Sequence, residues 1–245
     1  KLKNSTIFLE IGIHRNNISR ILNNFLFNIN TLSKIYSKNY YIKQVDYKTA
    51  MDIVVKYHYL HRKSPCSFAF GLFKKDTDEL KGVIVYGTPS SAPLRRGICG
   101  EDEANNVIEL TRLWVNDDVP KNGESFLIGN TIKKVDKEIV VSFAEIQQGH
   151  IGIVYQATNW IYTGLSAKRS NWVIEGVDKH CQTIADKYTS EELQKIYGDK
   201  FKRVPRPRKH RYVYFNATKK RRKELIDKLK YPIKEYPKKE KESAK

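Results

Sequence analysis

The sequence predicts an α+β fold, and four stretches of the 245 residues carry that prediction. Residues 107–115 alternate apolar and polar side chains as a half-buried strand does, and a polar turn and an apolar helical run follow them. Residues 139–144 form a second apolar strand, and the run from there to residue 164 predicts a second helix. Residues 67–73 and 80–87 are two further strands joined by a short polar turn, which is typical of a hairpin.

The remaining elements follow from local patterns along the chain. Residues 47–57 carry Ala50, Ile53 and Val54 at helical spacing, which predicts a helix. Residues 88–100 are rich in Gly, Pro and Ser, and we expect a loop there. Residues 209–215 alternate as a strand, and the lysine-rich end of the chain is expected to be helical at first and then disordered.

Three segments are expected: an N-terminal helical extension over residues 1–40, a main domain over 41–216 and a basic tail over 217–245. Residues 8–22 resemble a helix-turn-helix, with Gly12 at the turn. In that interpretation four polar residues would face DNA: Arg15, Asn16, Asn17 and Arg20. A short amphipathic hairpin that packs on the main domain is the alternative.

The composition points to an anionic partner. The chain has 45 Lys and Arg against 27 Asp and Glu, a net charge of +18, which is most often a sign of nucleic-acid binding. A lysine-rich proteome with a merely basic surface would give the same imbalance. The three cysteines include no C-x-x-C pair, and no run of about 18 apolar residues occurs, so we expect neither a disulfide framework nor a membrane span. An intracellular setting is the expectation.

Residues 107–164 have the strand and helix order of an acyl-CoA-dependent N-acyltransferase core. The turn at Asn122, Gly123 and Ser125 precedes a helix, and free backbone N–H groups at a helix start can hold a phosphate. An ordinary helix cap is the alternative. Tyr155 could protonate a departing thiolate, or it could be a core tyrosine.

Two charged residues of the same core are further catalytic candidates. Arg112 lies between Leu110 and Leu113 on the first strand, where a buried cation needs a phosphate, a carboxylate ligand or Glu109 as its partner. A structural salt bridge would explain it equally. Glu145 is the carboxylate available to act as a base.

His58 and His61 lie three residues apart, so one helical face could present both to a metal such as iron. Without a third ligand the pattern is weak, and His61 could instead meet DNA phosphate. The densest basic and aromatic patch is the expected DNA-binding surface, with a solvated loop as the alternative. Its cations are Arg203, Arg206, Arg208, Lys209 and Arg211, interleaved with His210, Tyr212 and Tyr214.

Across residues 41–216 the motifs resemble the Mom family of phage DNA-modification proteins, within the Gcn5-related N-acetyltransferase-like superfamily. The resemblance implies that superfamily's fold, a central mixed, mostly antiparallel sheet flanked by helices. The stretches that carry it are 56–62, 66–72, 97–101, 109–115, 120–127, 148–152, 155–159, 162–164 and 206–212.

The resemblance also implies a chemistry. Mom-like proteins attach a methylcarbamoyl or acetamido-type group to N6 of adenine in duplex DNA, which protects phage DNA from restriction, and an acetyl-CoA-type donor and iron are associated with them. Arg112, Ser125 and Tyr155 match functional positions of the family, and Glu145 stands where relatives usually have Asp. A phage- or prophage-encoded protein in the bacterial cytoplasm, of unknown oligomeric state, is implied.

Two other functions remain open from the sequence. An N-acetyltransferase of a protein or a small amine would work without DNA. A non-catalytic DNA-binding regulator would keep its binding after Arg112 and Tyr155 are lost.

Overall fold

The computed structural model describes residues 36–177, 184 and 187–238. The expected helix-turn-helix, Cys181 and the last seven residues lie outside these ranges. No helix in the part of the chain that the structure describes is long and apolar enough to cross a membrane. Cys66 and Cys99 are free thiols, and burial raises the pKa of both.

Nine strands and six α-helices have both of their ends within the described residues. The strands are β1 Tyr40–Gln44, β2 Phe68–Lys74, β3 Leu80–Gly87, β4 Val107–Val115, β5 Ile139–Glu145, β6 Ile161–Leu165, β7 Arg169–Ile174, β8 Phe201–Arg206 and β9 Lys209–Phe215. The helices are α1 Tyr47–Tyr57, α2 Ala92–Cys99, α3 Gly123–Thr131, α4 Ile153–Ala157, α5 Ser190–Tyr197 and α6 Lys219–Asp227. Short 3₁₀ turns join several of them.

Seven strands form one mixed sheet in the order β1-β2-β3-β4-β5-β9-β6, and β7 and β8 form a separate two-stranded sheet. β4 and β5 are parallel, whereas β1 with β2, β5 with β9, and β6 with β9 are antiparallel. The predicted α+β class with a mixed, mostly antiparallel sheet is confirmed. The expected order of strand, turn, helix, strand and helix is also observed, as β4, α3, β5 and α4.

The chain divides into two compact units. The first contains the described residues up to Val85 together with Arg112–Lys134. In it, α1 begins at the N-cap Asp46, whose side chain accepts a hydrogen bond from the Thr49 N–H. The apolar face of α1 buries Ala50, Met51 and Val54 against three residues of β2 and β3: Ala69, Val83 and Val85.

The second unit contains Tyr86–Thr111 and Val135–Lys245. Its main core lies on one face of β4, β5 and β9, where alternate residues of each strand point to the same side. Helices α2 and α6 cover that face. The fully or nearly fully buried members are Ile98, Cys99, Val107, Ile139, Val141, Val213, Phe215 and Leu225.

Two predicted elements were wrong. The expected loop 88–100 contains α2, because Ser91 caps the helix by accepting from Leu94 N–H at 3.3 Å and Pro93 is tolerated in a first turn. The expected second helix ends after the five residues of α4, since Asn159 adopts a left-handed φ of 61°. Tyr162 therefore lies on strand β6, not on a helix.

A buried carboxylate joins α6 to the rest of the second unit. Glu103 accepts hydrogen bonds from Lys228 Nζ at 2.7 Å and from Arg221 Nη2 at 2.7 and 2.9 Å, and Asn106 adds a bond at 3.2 Å. The bond from Lys228 lowers the pKa of Glu103 most, burial opposes it, and Arg221 and Asn106 lower it further, to about 2.

We expect acid to remove the stability that this network supplies. The folded pKa of Glu103 is about 2 against an ordinary 4.5, so the contribution is complete above about pH 5 and is lost as pH falls toward 2. Such a shift corresponds to about 3 kcal/mol, and screening at the partly exposed Arg221 and Lys228 reduces our expectation to about 2 kcal/mol. Urea unfolding between pH 7 and 2.5 tests this. Glu103→Gln should reduce the change in unfolding free energy with pH. An equal change with pH in the parent and in Glu103→Gln would refute the contribution of Glu103.

Candidate active site

The second unit contains an open cleft of about 410 Å³, a size within the range of small-ligand sites. Four cations, one carboxylate and two aromatic rings contribute to its lining. These residues are Arg169, Arg206, Lys209, Arg211, Glu109, Phe143 and Tyr231. Ser91 and Leu94 at the start of α2 and Ser166 after β6 complete much of the wall.

The strand register places the cleft beyond one end of the apolar core. Phe143 on β5 pairs with Arg211 on β9, and Glu145 pairs with Lys209, so these four side chains share the face that buries Val141. On β4, Glu109 lies two residues after the buried Val107 and therefore points to the same side. This face of the sheet changes from an apolar core to a charged cleft along the length of its strands.

Arg211 is the most buried cation of the cleft. Its Nε donates to Thr163 Oγ1 at 2.8 Å, its Nη2 donates to the Thr163 carbonyl at 3.1 Å, and its guanidinium lies 3.4 Å from the centre of the Tyr231 ring. Burial lowers the pKa of Arg211 below its usual value. Arg211 is thus part of the cleft wall, and the expected role in an open DNA-contacting patch does not fit its burial.

Glu145 and Lys209 form an ion pair with 2.6 Å between Oε2 and Nζ, and both side chains are largely buried. The sequence suggested catalysis for the first residue and DNA contact for the second. The cleft is lined by Lys209 and by Glu109, not by Glu145.

Tyr155 lies on the opposite face of the same strands. Its hydroxyl is hydrogen-bonded to the Ser142 hydroxyl at 2.8 Å, and Ser142 donates to the Leu110 carbonyl at 2.9 Å. Trp160 and Tyr212 pack against its ring. The backbone pairing of β4 with β5 joins Val107–Glu109 to Ile139–Val141. The hydrogen bond from Ser142 to Leu110 therefore connects the two strands one residue beyond the last backbone pair. Sequence reasoning missed Ser142, since a serine within an apolar strand carries no distinctive signal.

Arg112 belongs to the first unit. Its Nη2 donates to the carbonyls of Arg62 and Lys63, each at 3.4 Å. These contacts hold the loop that follows α1 against β4 within that unit. A contact of Arg112 with an anionic ligand stays a prediction.

The predicted phosphate-binding turn also lies in the first unit, at the start of α3. Asn122 is the N-cap, with a left-handed φ of 77° and no side-chain capping bond. A Cβ on Gly123 would lie 2.8 Å from Val119 Cγ1 and 3.1 Å from Val115 Cγ1. Packing inside the unit therefore requires a glycine here, and the predicted approach of a ligand to its backbone stays a prediction. Ser125 occupies the first helical turn and is half-buried.

The two histidines do not form the expected pair on one helical face. α1 ends at Tyr57, and the buried His58 is its C-cap, whose backbone N–H donates to the Val54 carbonyl. The His58 Nδ1 accepts a hydrogen bond from the Leu60 N–H at 3.2 Å. His61 has a left-handed φ of 44° and its Nδ1 lies 3.0 Å from the Val55 carbonyl. Among the residues that the structure describes, no three His, Cys, Asp or Glu side chains are grouped as metal ligands. These histidines do not fit an iron site.

The other predicted DNA-binding cations differ in their accessibility. Arg206 is exposed on β8 and lines the cleft. Arg203 is exposed but donates to Ser190 Oγ of α5 at 2.7 Å. Arg208 donates to the carbonyls of Ser166 at 2.6 Å and Leu165 at 3.2 Å, so it closes the turn before β9. Sequence reasoning missed Arg169, which is exposed and lines the cleft opposite Arg206.

A sequence profile described as the Mom protein family matches residues 39–238. Methylcarbamoylase mom of Escherichia phage Mu is 29% identical over 210 residues, which cover 82% of this chain and 85% of the relative. Among solved structures, Arabidopsis thaliana NAA60 in complex with acetyl-CoA is 10% identical with a TM-score of 0.43, covering 72% of this chain and 99% of that one. An N-acetyltransferase from Staphylococcus aureus Mu50 is 12% identical with a TM-score of 0.40, covering 72% and 97%.

Proposed function

Since this chain belongs to the Mom protein family, we propose that it is a transferase that modifies DNA. The proposed product carries a methylcarbamoyl or acetamido-type group on N6 of adenine in duplex DNA, which would protect phage DNA from restriction. The relative of phage Mu is named a methylcarbamoylase, which supports transfer of a carbonyl-containing group. The proposed setting is the cytoplasm of a bacterial host.

The observation that carries the proposal is the cleft of the second unit. Phe143 and Tyr231 offer aromatic surface to a base, and the Glu109 carboxylate can accept a hydrogen bond from an exocyclic amine. The exposed Arg169 and Arg206 can neutralise the phosphates that flank it. A base within duplex DNA must leave the stack to enter such a cleft, and enzymes that act on bases in duplex DNA extrude them in this way.

The proposed donor is a thioester whose carbonyl carbon already carries the methylamino nitrogen. The proposed reaction forms a bond between adenine N6 and that carbonyl carbon and breaks the bond from the carbon to sulfur, which leaves as the thiol. The N6 amine is a weak nucleophile because its lone pair is delocalised into the ring. We assign the removal of its proton to Glu109 and the protonation of the leaving group to Tyr155. Glu109 and Tyr155 lie on opposite faces of β4 and β5. The adenine and the acyl donor would therefore meet just beyond the last backbone pair of these strands, Glu109 with Val141.

Glu145 has a positioning role in this proposal. Its ion pair fixes Lys209 Nζ at the cleft wall, where the ammonium group can stabilise negative charge that develops on the reacting carbonyl. Glu145 would therefore act through Lys209 and not as the base.

Mass spectrometry of nucleosides tests the function. DNA from cells that express the chain should contain modified adenine, and DNA from cells that express Glu109→Gln should contain far less. Unmodified adenine together with acetylation of a free amine would replace the proposal with a general N-acetyltransferase. Sequence-specific binding with no modification of any substrate would leave a DNA-binding regulator.

An acyl-CoA donor is proposed to place its phosphates at the start of α3. Isothermal calorimetry with acetyl-CoA should detect binding, and Ser125→Asp should weaken it by about tenfold or more because a second anion in the first turn repels phosphate. The same substitution should not lower the thermal unfolding midpoint, since a carboxylate is favourable near a helix N-terminus. Equal affinity of the two proteins would contradict the assignment.

A further inference from the structure

The β7–β8 ribbon is a two-stranded antiparallel sheet, and only its first pair, Arg169 and Arg206, contributes to the cleft described above. Its pairs run from Arg169 with Arg206 to Ile174 with Phe201. Because side chains alternate across a strand, the ribbon has two faces. One face buries Ile174 and Phe201 against Leu193 of α5. An isolated hairpin is marginally stable in water, so this packing supports the ribbon.

The opposite face of the ribbon is basic, and five of its six side chains are exposed. It presents two guanidinium groups, one ammonium group, one amide and two valines, and none of its six side chains is a carboxylate. These residues are Arg169, Asn171, Val173, Lys202, Val204 and Arg206. Val173 and Val204 are 43% and 44% exposed. The ion pair of Lys202 with Glu175, at 3.7 Å between two exposed side chains, holds Lys202 only weakly.

This chemistry matches a DNA groove better than a protein surface. Guanidinium and amide groups bind base edges, methyl groups contact thymine, and ammonium groups contact phosphate. Protein interfaces are instead enriched in aromatic residues and depleted in Lys. The major groove admits a two-stranded ribbon. Six residues at about 3.3 Å each extend about 20 Å, the length of about six base pairs.

The ribbon also begins at the cleft. Arg169 and Arg206 pair across its first rung, and both line the cleft. A duplex that follows the ribbon would therefore present a nucleotide at the cleft mouth.

We propose that the exposed face of the β7–β8 ribbon lies in a groove of duplex DNA and reads the base pairs that flank the target adenine. The inference rests on the proposed DNA-modifying function. The ribbon selects the sequence, and the cleft holds the base that reacts.

A matched pair of charge insertions tests the location. Val204→Glu places a carboxylate at the centre of the exposed ribbon face, and Ile196→Glu places one on α5, where Ile196 is 57% exposed. By fluorescence anisotropy, Val204→Glu should weaken binding to a duplex about tenfold or more through repulsion of phosphate, whereas Ile196→Glu should change it by less than about twofold. Thermal unfolding checks that both proteins are folded. Equal effects of the two substitutions would overturn the proposal.

Two further variants keep the test valid if Val204→Glu does not fold. Lys202→Ala should lower the slope of log affinity against log salt by about one, and Lys195→Ala on α5 should not. Asn171→Ala should reduce the preference for one flanking base by about tenfold. The preference is measured from the sequences around modified adenines in plasmid DNA. An unchanged slope and an unchanged preference would exclude the ribbon from the groove.

The failure of the ribbon proposal is distinguishable from failure of the proposed function. If the parent modifies adenine but ribbon variants behave as the parent does, the ribbon proposal fails and the function stands. If the parent leaves adenine unmodified but the ribbon variants still lose binding, the ribbon binds DNA and the modification reaction is wrong.

Discussion

Replacing Glu109 with Gln is expected to lower the rate of adenine modification by about 10²- to 10⁴-fold, the scale for loss of a positioned acid or base. The amide keeps the size of the side chain but cannot take a proton from N6. The affinity for duplex DNA should stay within about twofold of the parent, because the cations that contact phosphate are unchanged. Nucleoside mass spectrometry and anisotropy on the same preparations measure both quantities.

Glu145→Gln is the matched control, since both carboxylates lie on the same face of the sheet. It removes the ion pair with Lys209 and should reduce the rate less than Glu109→Gln does. Lys209→Ala should then add little to the effect of Glu145→Gln, because two residues that act as one unit are not additive. A larger loss in Glu145→Gln than in Glu109→Gln would reverse the two assignments.

Replacing Tyr155 with Phe is expected to lower the rate by about 10²-fold, because the leaving group loses its proton donor. Only one oxygen is removed, and the ring continues to pack against Trp160 and Tyr212. Ser142→Ala removes one hydrogen bond of the Tyr155 hydroxyl, so the rate should fall as well.

Tyr212→Phe provides the comparison for Tyr155→Phe. Its hydroxyl donates to the Ile151 carbonyl and accepts from Gln156, and burial raises its pKa to about 12. The loss of these bonds should cost about 1 kcal/mol of unfolding free energy and leave the rate nearly unchanged. If Tyr212→Phe and Tyr155→Phe reduce the rate equally, Tyr155 supports the aromatic cluster and does not donate a proton.

The failure of the predicted second helix shows where local patterns stop being informative. Trp160 and Tyr162 follow Tyr155 at spacings that a helix would accept, yet Trp160 is fully buried and Tyr162 pairs with Tyr212 across β6 and β9. Asn159, between Tyr155 and Trp160, has a left-handed φ that turns the chain out of the helix. Asparagine is one of the few non-glycine residues that adopt this conformation readily. The capping box of Thr189 and Glu192, by contrast, is a local signal from which the start of α5 can be predicted.

Local patterns are also a poor guide to which charged residues share a site. The family resemblance indicated Tyr155 as a catalytic residue and a phosphate-binding turn at the start of α3, and both roles stay predictions. It did not indicate Glu109, which the sequence suggested only as a partner of Arg112, and it did not anticipate that Lys209 would pair with Glu145.

The sequence by itself determined the α+β class, the bounds of α1 and β3, the order from β4 to α4, and the membership of the Mom protein family. These depend on periodicity and motifs within short stretches, which every sequence displays directly. Only the tertiary structure decided which distant side chains share a surface. The pairing of Phe143 with Arg211 places a cation in the cleft, and the alternation along β5 puts Ser142 with Tyr155 on the opposite side. Because a shift of one residue in strand register would exchange those two faces, the site was set by the register of the sheet.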